Sequence, residues 1–390
     1  MDISKFVSNR SKSVTFPGIR KMLQMAEGLE GIVSFALGEP DFDTPQHIKE
    51  AAFNALREGF TKYTSNYGIP ELRNAIAAKL KRENSVLVDP KTEVLVTAGA
   101  QEALYLVFQA FINPGDEVIV TDPCYHSYPR MIMLAGGKPV PVPLNQKEDF
   151  RLHVDDLERR INPKTKMILL NSPQNPAGSV LDSSDLKKIA SIAESHDLLV
   201  ATDEIYEKLI YDATHVSIAS LPGMAERTIT INGFSKTYAM TGWRIGYCVA
   251  KKNLLDEMVK THSYSATCAN SIAQKAATAA LNGPQDCVTD MVREFTRRRD
   301  YVVKRLSEMK GVDCPKPRGA FYVFPNFLSF SKTSFALAEH LLTKAKIITV
   351  PGLEYGPSND YHLRLSFATS MENLEIGLDR LDAGLRGLRR

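Results

Sequence analysis

From residue 93 onward, short apolar runs rich in Val and Ile recur, each closed by a turn and most followed by a helical stretch. The runs are EVLVT (93–97), EVIVT (117–121), KMILLN (166–171), LLVATD (198–203) and RTITIN (227–232). Apolar runs of this kind, alternating with helices, predict a largely parallel sheet covered on both faces. Between them, residues 101–112 and 182–196 carry the helical period. The run RIGYCVA (244–250) follows 227–232 too soon for a helical crossover, so an antiparallel neighbour is expected there.

Asn282-Gly283-Pro284 is a turn and marks a boundary. Beyond it come a long charged helical stretch (288–309), a Pro/Gly break, and short strands near 320–324 and 362–367, the pattern of a smaller α+β unit. The first 45 residues are punctuated by Pro and Gly and are expected to pack against that unit. The expected organisation is an arm at 1–45, a large domain at 46–283 and a small domain at 284–390. There is no internal repeat.

Composition changes this picture little. At 390 residues, 44% hydrophobic and 24% charged, the chain is a soluble globular protein that can bury a large core without disulfides. A net charge of +3 selects no anionic partner. The basic clusters Arg297–Arg299 and Arg386-Gly387-Leu388-Arg389-Arg390 read as a solvated helix face and as favourable charge at a helix C-terminus. Neither comes with interleaved aromatics or a groove-entering motif, so no nucleic acid is expected. The five cysteines are scattered without a C-x-x-C pair, which favours reduced thiols in the cytoplasm. The histidines have no zinc spacing, so no metal is expected. The start lacks the apolar core of a signal peptide, and no run approaches the roughly 18 apolar residues of a membrane span.

In open α/β sheets ligands bind beyond the carboxyl ends of the strands, and the informative residues stand there. After 93–97 comes TAGAQEAL, where Ala100 and Gln101 open a helix approached through small residues. That is either an ordinary turn or an anion site made of free backbone N–H groups. After 117–121 comes DPCYHSY, whose Tyr125 could stack on a flat ligand or simply pack in the core. In SPQNPAG, two prolines stiffen the loop around Asn175, which could equally be a turn asparagine. Asp203 ends an apolar run, where it either caps a helix or is buried and needs a cation; Tyr206 lies three residues on. Finally, NGFSKTYAMTGWRIG (232–246) sets Lys236 among small residues, without a carboxylate, ahead of Arg244. Each feature alone is weak. Together they describe a pocket for a phosphorylated aromatic aldehyde held as a lysine Schiff base, pyridoxal 5′-phosphate.

The stretch GFSKTYAMTGWRIG closely resembles the lysine signature of the class I/II (fold type I) pyridoxal-phosphate-dependent aminotransferases. NPAG, DEIY, LGEPDF (37–42), the KY…GIP stretch (62–70) and RLSF (364–367) match the same family in order, through nearly the whole chain. The resemblance is to the bacterial and archaeal branch holding aspartate and aromatic aminotransferases. It implies an α/β fold with a mostly parallel sheet in a large domain and a smaller α+β domain. It implies that Lys236 carries the cofactor in imine linkage and moves the substrate proton. Asp203 would keep the pyridine nitrogen protonated, Asn175 and Tyr206 would bond the ring oxygen, and Tyr125 would stack on the ring. Ser235, Arg244 and the backbone at Ala100–Gln101 would hold the phosphate. Tyr63 would reach the phosphate of a neighbouring subunit in a homodimer. Arg364 would clamp the substrate carboxylate, with Gly38 lending backbone nearby.

The resemblance also bears on substrate. In one branch a partner-subunit arginine binds a distal carboxylate, but the matching region THSYSATCAN (261–270) has none. In some bacterial relatives a lysine near the phosphate helix does so, and Gln101 stands at that place. The expectation is therefore an aromatic or broad-specificity enzyme using 2-oxoglutarate by a ping-pong mechanism, with aspartate aminotransferase as the alternative. A pyridoxal-phosphate lyase could use the same pocket. A transcriptional regulator of this fold would need a fused DNA-binding domain, and the early start of the match leaves no room for one.

Overall fold

The computed structural model describes residues 1–16 and 18–388, so Arg389 and Arg390 of the basic tail lie outside the described residues. Its centre is a seven-stranded sheet. In chain order the strands are β1 (Val94–Thr97), β2 (Glu117–Asp122), β3 (Lys138–Pro143), β4 (Thr165–Asn171), β5 (Leu199–Asp203), β6 (Thr228–Gly233) and β7 (Gly246–Val249). Their spatial order is β1-β7-β6-β5-β4-β2-β3. The β3-β2-β4-β5-β6 block is parallel, while β7 runs antiparallel to both β1 and β6, as the short connection after 227–232 predicts.

Alternate side chains of each strand enter different apolar clusters, the period of two expected of a sheet buried on both faces. Val118, Val120, Met167, Leu169, Ala201, Ile229 and Cys248 face the layer built around the helix Ala100–Phe111. Ile119, Ile168, Leu170 and Val200 face the opposite layer, which also contains the helix Ser183–Ser195. Ile168 and Ile229 are fully buried, each contributing roughly 1.5–3 kcal/mol relative to exposure.

The strand β3, KPVPVP, was not expected from the sequence. Its three prolines lack ladder donors, and it survives because it is an edge strand paired only with β2.

A second, antiparallel sheet joins β8 (Tyr322–Val323), β9 (Val350–Pro351) and β10 (Leu363–Ser366) in the order β9-β10-β8. The helices Asp286–Ser307, Ser334–Ala345 and Met371–Arg386 accompany it. Near the amino terminus Val33–Ser34 pairs in parallel with Ile347–Ile348, tying residues early in the chain to this late segment.

The arginine triplet is not the solvated face it was expected to be. Arg297 is exposed, but Arg298 and Arg299 are buried, with relative exposures of 6% and 1%. Arg298 binds Asp41 at 2.7 Å and lies over Phe42 and Phe295, while Arg299 binds Asp212 at 2.6 Å and lies over Tyr211. Their planar heads stack on aromatic faces while partners distant in sequence neutralise them.

Candidate active site

The carboxyl ends of β2, β4, β5 and β6 lie side by side, with Asn171 of β4 in register with Asp203 of β5. Segments leaving these ends converge on one cavity of about 400 Å³. It is lined by Gly38, Ala100, Gln101, Tyr125, Asn175, Asp203, Tyr206, Ser235, Lys236, Arg244 and Arg364, all of which the sequence singles out. Tyr63 is the exception: it is 87% exposed and lies outside the lining.

Asp203 is 4% exposed. Its carboxylate accepts hydrogen bonds from the Tyr128 hydroxyl at 2.8 Å and the Ile205 backbone N–H at 3.2 Å. Among the described residues no cation forms a salt bridge with it, and the cationic charge that acts on it is that of Lys236, as the last of the causes that set its pKa. Burial pushes its pKa up to about 6 against these hydrogen bonds, with the neighbouring Glu204 charge adding to the rise.

Lys236 lies just beyond β6, and its Nζ donates to the carbonyl oxygen of Gly38. Burial, joined by the charges of Arg364 and Arg244, brings its pKa down to about 8. Near neutral pH a usable fraction is therefore the free amine that imine chemistry requires.

The helix Ala100–Phe111 opens at Gly99, whose φ of +82° lies in the region that favours glycine. A Cβ there would come within 2.7 Å of the Arg244 guanidinium, and a Cβ on Gly246 within 2.5 Å of the Ala100 nitrogen. These two glycines let the helix start, Arg244 and β7 close on one another, forming a cradle with free backbone N–H groups beside a cation. Such a cradle suits a phosphate.

Arg364, on β10, is 4% exposed and lies over the Tyr322 ring at 4.2 Å. One terminal nitrogen donates to Asn175 Oδ1 at 3.1 Å and the other to the Ala36 carbonyl at 2.7 Å, while its buried Nε has no partner. The Tyr206 hydroxyl sits 3.0 Å from that of Tyr322, and Tyr125 reaches Gln101 only weakly, at 3.4 Å.

Among the lining residues that the sequence does not single out, three carry polar groups of interest. Tyr128 grips Asp203, and its signal was present as a second tyrosine three residues after Tyr125, at the start of the helix Ser127–Leu134. Tyr322 and His126 also line the cavity; the first lay hidden in an apolar strand and the second in a loop.

The donor set fits pyridoxal phosphate. A buried carboxylate without a salt bridge among the described residues matches a pyridinium nitrogen, a half-buried lysine with a pKa lowered to about 8 matches an aldehyde, and the glycine-lined helix start matches a phosphate.

Comparison with known proteins agrees with this geometry. Residues 30–381 match the family model described as aminotransferase class I and II. An aspartate aminotransferase of Pyrococcus abyssi is 47% identical, over 97% of this chain and 98% of its own. Aromatic-amino-acid aminotransferase 2 of Thermococcus litoralis is 44% identical over the same shares of the two chains. A solved mutant of the Thermus thermophilus aspartate aminotransferase, 40% identical, superposes with a TM-score of 0.92, covering 97% of this chain and 99% of that one. The α/β architecture is the one the motifs implied, and the chain belongs to the class I and II aminotransferase family.

Proposed function

We propose that this aminotransferase uses pyridoxal 5′-phosphate to move the amino group of an aromatic or broadly chosen L-amino acid to 2-oxoglutarate. The observation that carries the reading is the pairing, in one cavity, of a buried carboxylate that forms no salt bridge among the described residues with a half-buried lysine of lowered pKa. When bound, the cofactor supplies an electron sink that weakens the bond from the substrate α-carbon to its hydrogen.

The remaining work falls to the chain. Asp203, held by Tyr128, keeps a proton on the ring nitrogen. Tyr125 would cover the ring, and Asn175 and Tyr206 would hydrogen-bond its oxygen. Ser235, Arg244 and the N–H groups at Ala100–Gln101 anchor the phosphate. Arg364 would orient the substrate carboxylate, and Lys236 Nζ would accept and hold the α-proton. The same reading makes the enzyme a cytoplasmic homodimer in which exposed Tyr63 completes the neighbouring phosphate site. It assigns residues 46–283 to cofactor binding, and 284–390 with the arm 1–45 to a smaller domain. Among the described residues no helix is long and apolar enough to cross a membrane.

Substrate class follows from the count of cations. The cationic side chains lining the cavity are Lys236, Arg244 and Arg364, and each has a role above. None is left for a distal carboxylate, which favours the aromatic reading over strict aspartate specificity.

The test is a half-reaction panel on the holoenzyme, following cofactor absorbance with phenylalanine, tyrosine, glutamate, aspartate and alanine. Conversion by the first three with aspartate slower is the expected result. Fast conversion by aspartate would replace this reading with aspartate aminotransferase. No conversion by any of them would point to a lyase.

A further inference from the structure

With every lining cation assigned, an enzyme that alternates between aromatic amino acids and glutamate still needs a polar group for the far end of the side chain. His126 occupies a suitable place. It lines the cavity beside Tyr125, at 4.6 Å between ring centroids. It also packs against Tyr355 at 6.4 Å, and the Arg364 guanidinium lies 5.3 Å from the same tyrosine ring. Tyr355 is thus a neighbour shared by His126 and the Arg364 guanidinium, the group proposed to hold the substrate carboxylate.

We propose that His126 is a specificity-determining residue whose imidazole binds the distal group of the substrate, donating to the carboxylate of glutamate or 2-oxoglutarate and packing against an aromatic ring. The proposal rests on the aromatic or broad-specificity reading above.

The surroundings keep the ring uncharged. Burial, followed by the charges of Arg130 and Arg364, pushes its pKa down to about 3. Arg130, the nearest unassigned cation, is committed elsewhere: it binds Glu354 at 2.9 Å and the His126 carbonyl at 2.6 Å. The Ser127 hydroxyl lies 3.3 Å from Nδ1, and the tautomer in which it donates to that nitrogen carries the ring proton on Nε2. A neutral N–H donor suits two substrates that a fixed cation would not. It bonds a carboxylate, accepts the hydroxyl of tyrosine as a partner, and imposes no unpaired buried charge when phenylalanine enters.

The experiment measures single-turnover kcat/KM of the holoenzyme for glutamate, phenylalanine and alanine in wild type, His126→Phe and His126→Gln. The expected result for His126→Phe is a fall for glutamate of about tenfold or more, the scale of one lost hydrogen bond to a charged group. Phenylalanine and alanine should stay within about threefold, a change worth less than one neutral hydrogen bond. His126→Gln should recover part of the glutamate rate, because its amide also donates. An equal fall for all three substrates would overturn the proposal in favour of a packing role, and so would an unchanged glutamate rate. The wild-type panel judges the parent reading separately. If wild type preferred aspartate to phenylalanine, the aromatic reading would fail while the glutamate-to-alanine ratio of the variants still decided the role of His126.

Discussion

Two buried carboxylates lie four positions apart and live in opposite electrostatic worlds. Glu207, 8% exposed, is held by Lys79 Nζ and by the Asn84 amide at 2.6 Å, with His215 4.0 Å away. Burial works to raise its pKa, but the charges of Lys79 and His215 outweigh it and hold the group at about 2. Asp203, 4% exposed, has hydrogen bonds but no salt bridge among the described residues, and rises to about 6. Glu207 is a completed ion pair that joins the helix Pro70–Lys79 to the segment after β5. Asp203 forms no such pair among the described residues, and in the proposed reading the cofactor would supply the opposite charge. Burial alone does not mark a functional carboxylate; burial without compensation does.

The largest expected effect separates the lysine from everything else. Lys236→Ala should bind the cofactor noncovalently and lose transamination turnover by roughly 10³-fold or more, the reach of a positioned proton-transfer group and its imine. Single-turnover kinetics would check this, and normal turnover would remove Lys236 from its role.

The carboxylates should then exchange effects. Asp203→Asn should cut turnover by about 10²-fold or more while leaving the cofactor-free protein as stable as before or more so. Glu207→Gln should leave turnover within a few-fold but cost about 3–5 kcal/mol of stability, because Lys79 loses its buried carboxylate and keeps only Asn84 at 2.8 Å and Glu83 at 4.0 Å. Urea unfolding beside steady-state rates measures both, and the same ranking in the two assays would break the comparison.

The two groups also pull stability in opposite directions with pH. Between the ordinary aspartate value of 3.8 and about 6, folded Asp203 keeps a proton that the unfolded chain has lost. Its contribution to stability therefore falls as pH rises through that window, by on the order of 3 kcal/mol from a shift of about two pKa units. Glu207, lowered from 4.5 to about 2, contributes stability that is present above 4.5 and lost as pH falls toward 2. Melting the cofactor-free protein across pH should show the first slope vanish in Asp203→Asn and the second in Glu207→Gln. The smallest effect is expected of Tyr128→Phe, which removes one hydrogen bond to Asp203. A five- to tenfold loss in kcat is expected, about 1 kcal/mol, with a raised pH for the acid limb of the rate profile.

Much of this site was legible because its residues stand where strands end. Asn175, Asp203 and Lys236 each follow an apolar run, and the parallel topology brings those ends together. Contacts between segments far apart in sequence were not legible. Arg298 and Arg299 look like surface charge until Asp41 and Asp212, from distant loops, meet them. The prolines of β3 argue against a strand unless its edge position is known. Whether Asp203 would find a cation in the protein is a property of the folded surroundings, and it is the fact on which the site turns.

The most direct test of that account is borohydride reduction of the protein with pyridoxal phosphate, followed by peptide mapping by mass spectrometry. The account predicts a single reduced pyridoxyl adduct, on Lys236, and its loss in Lys236→Ala. An adduct on another lysine, or none at all while the cofactor remains bound, would contradict it.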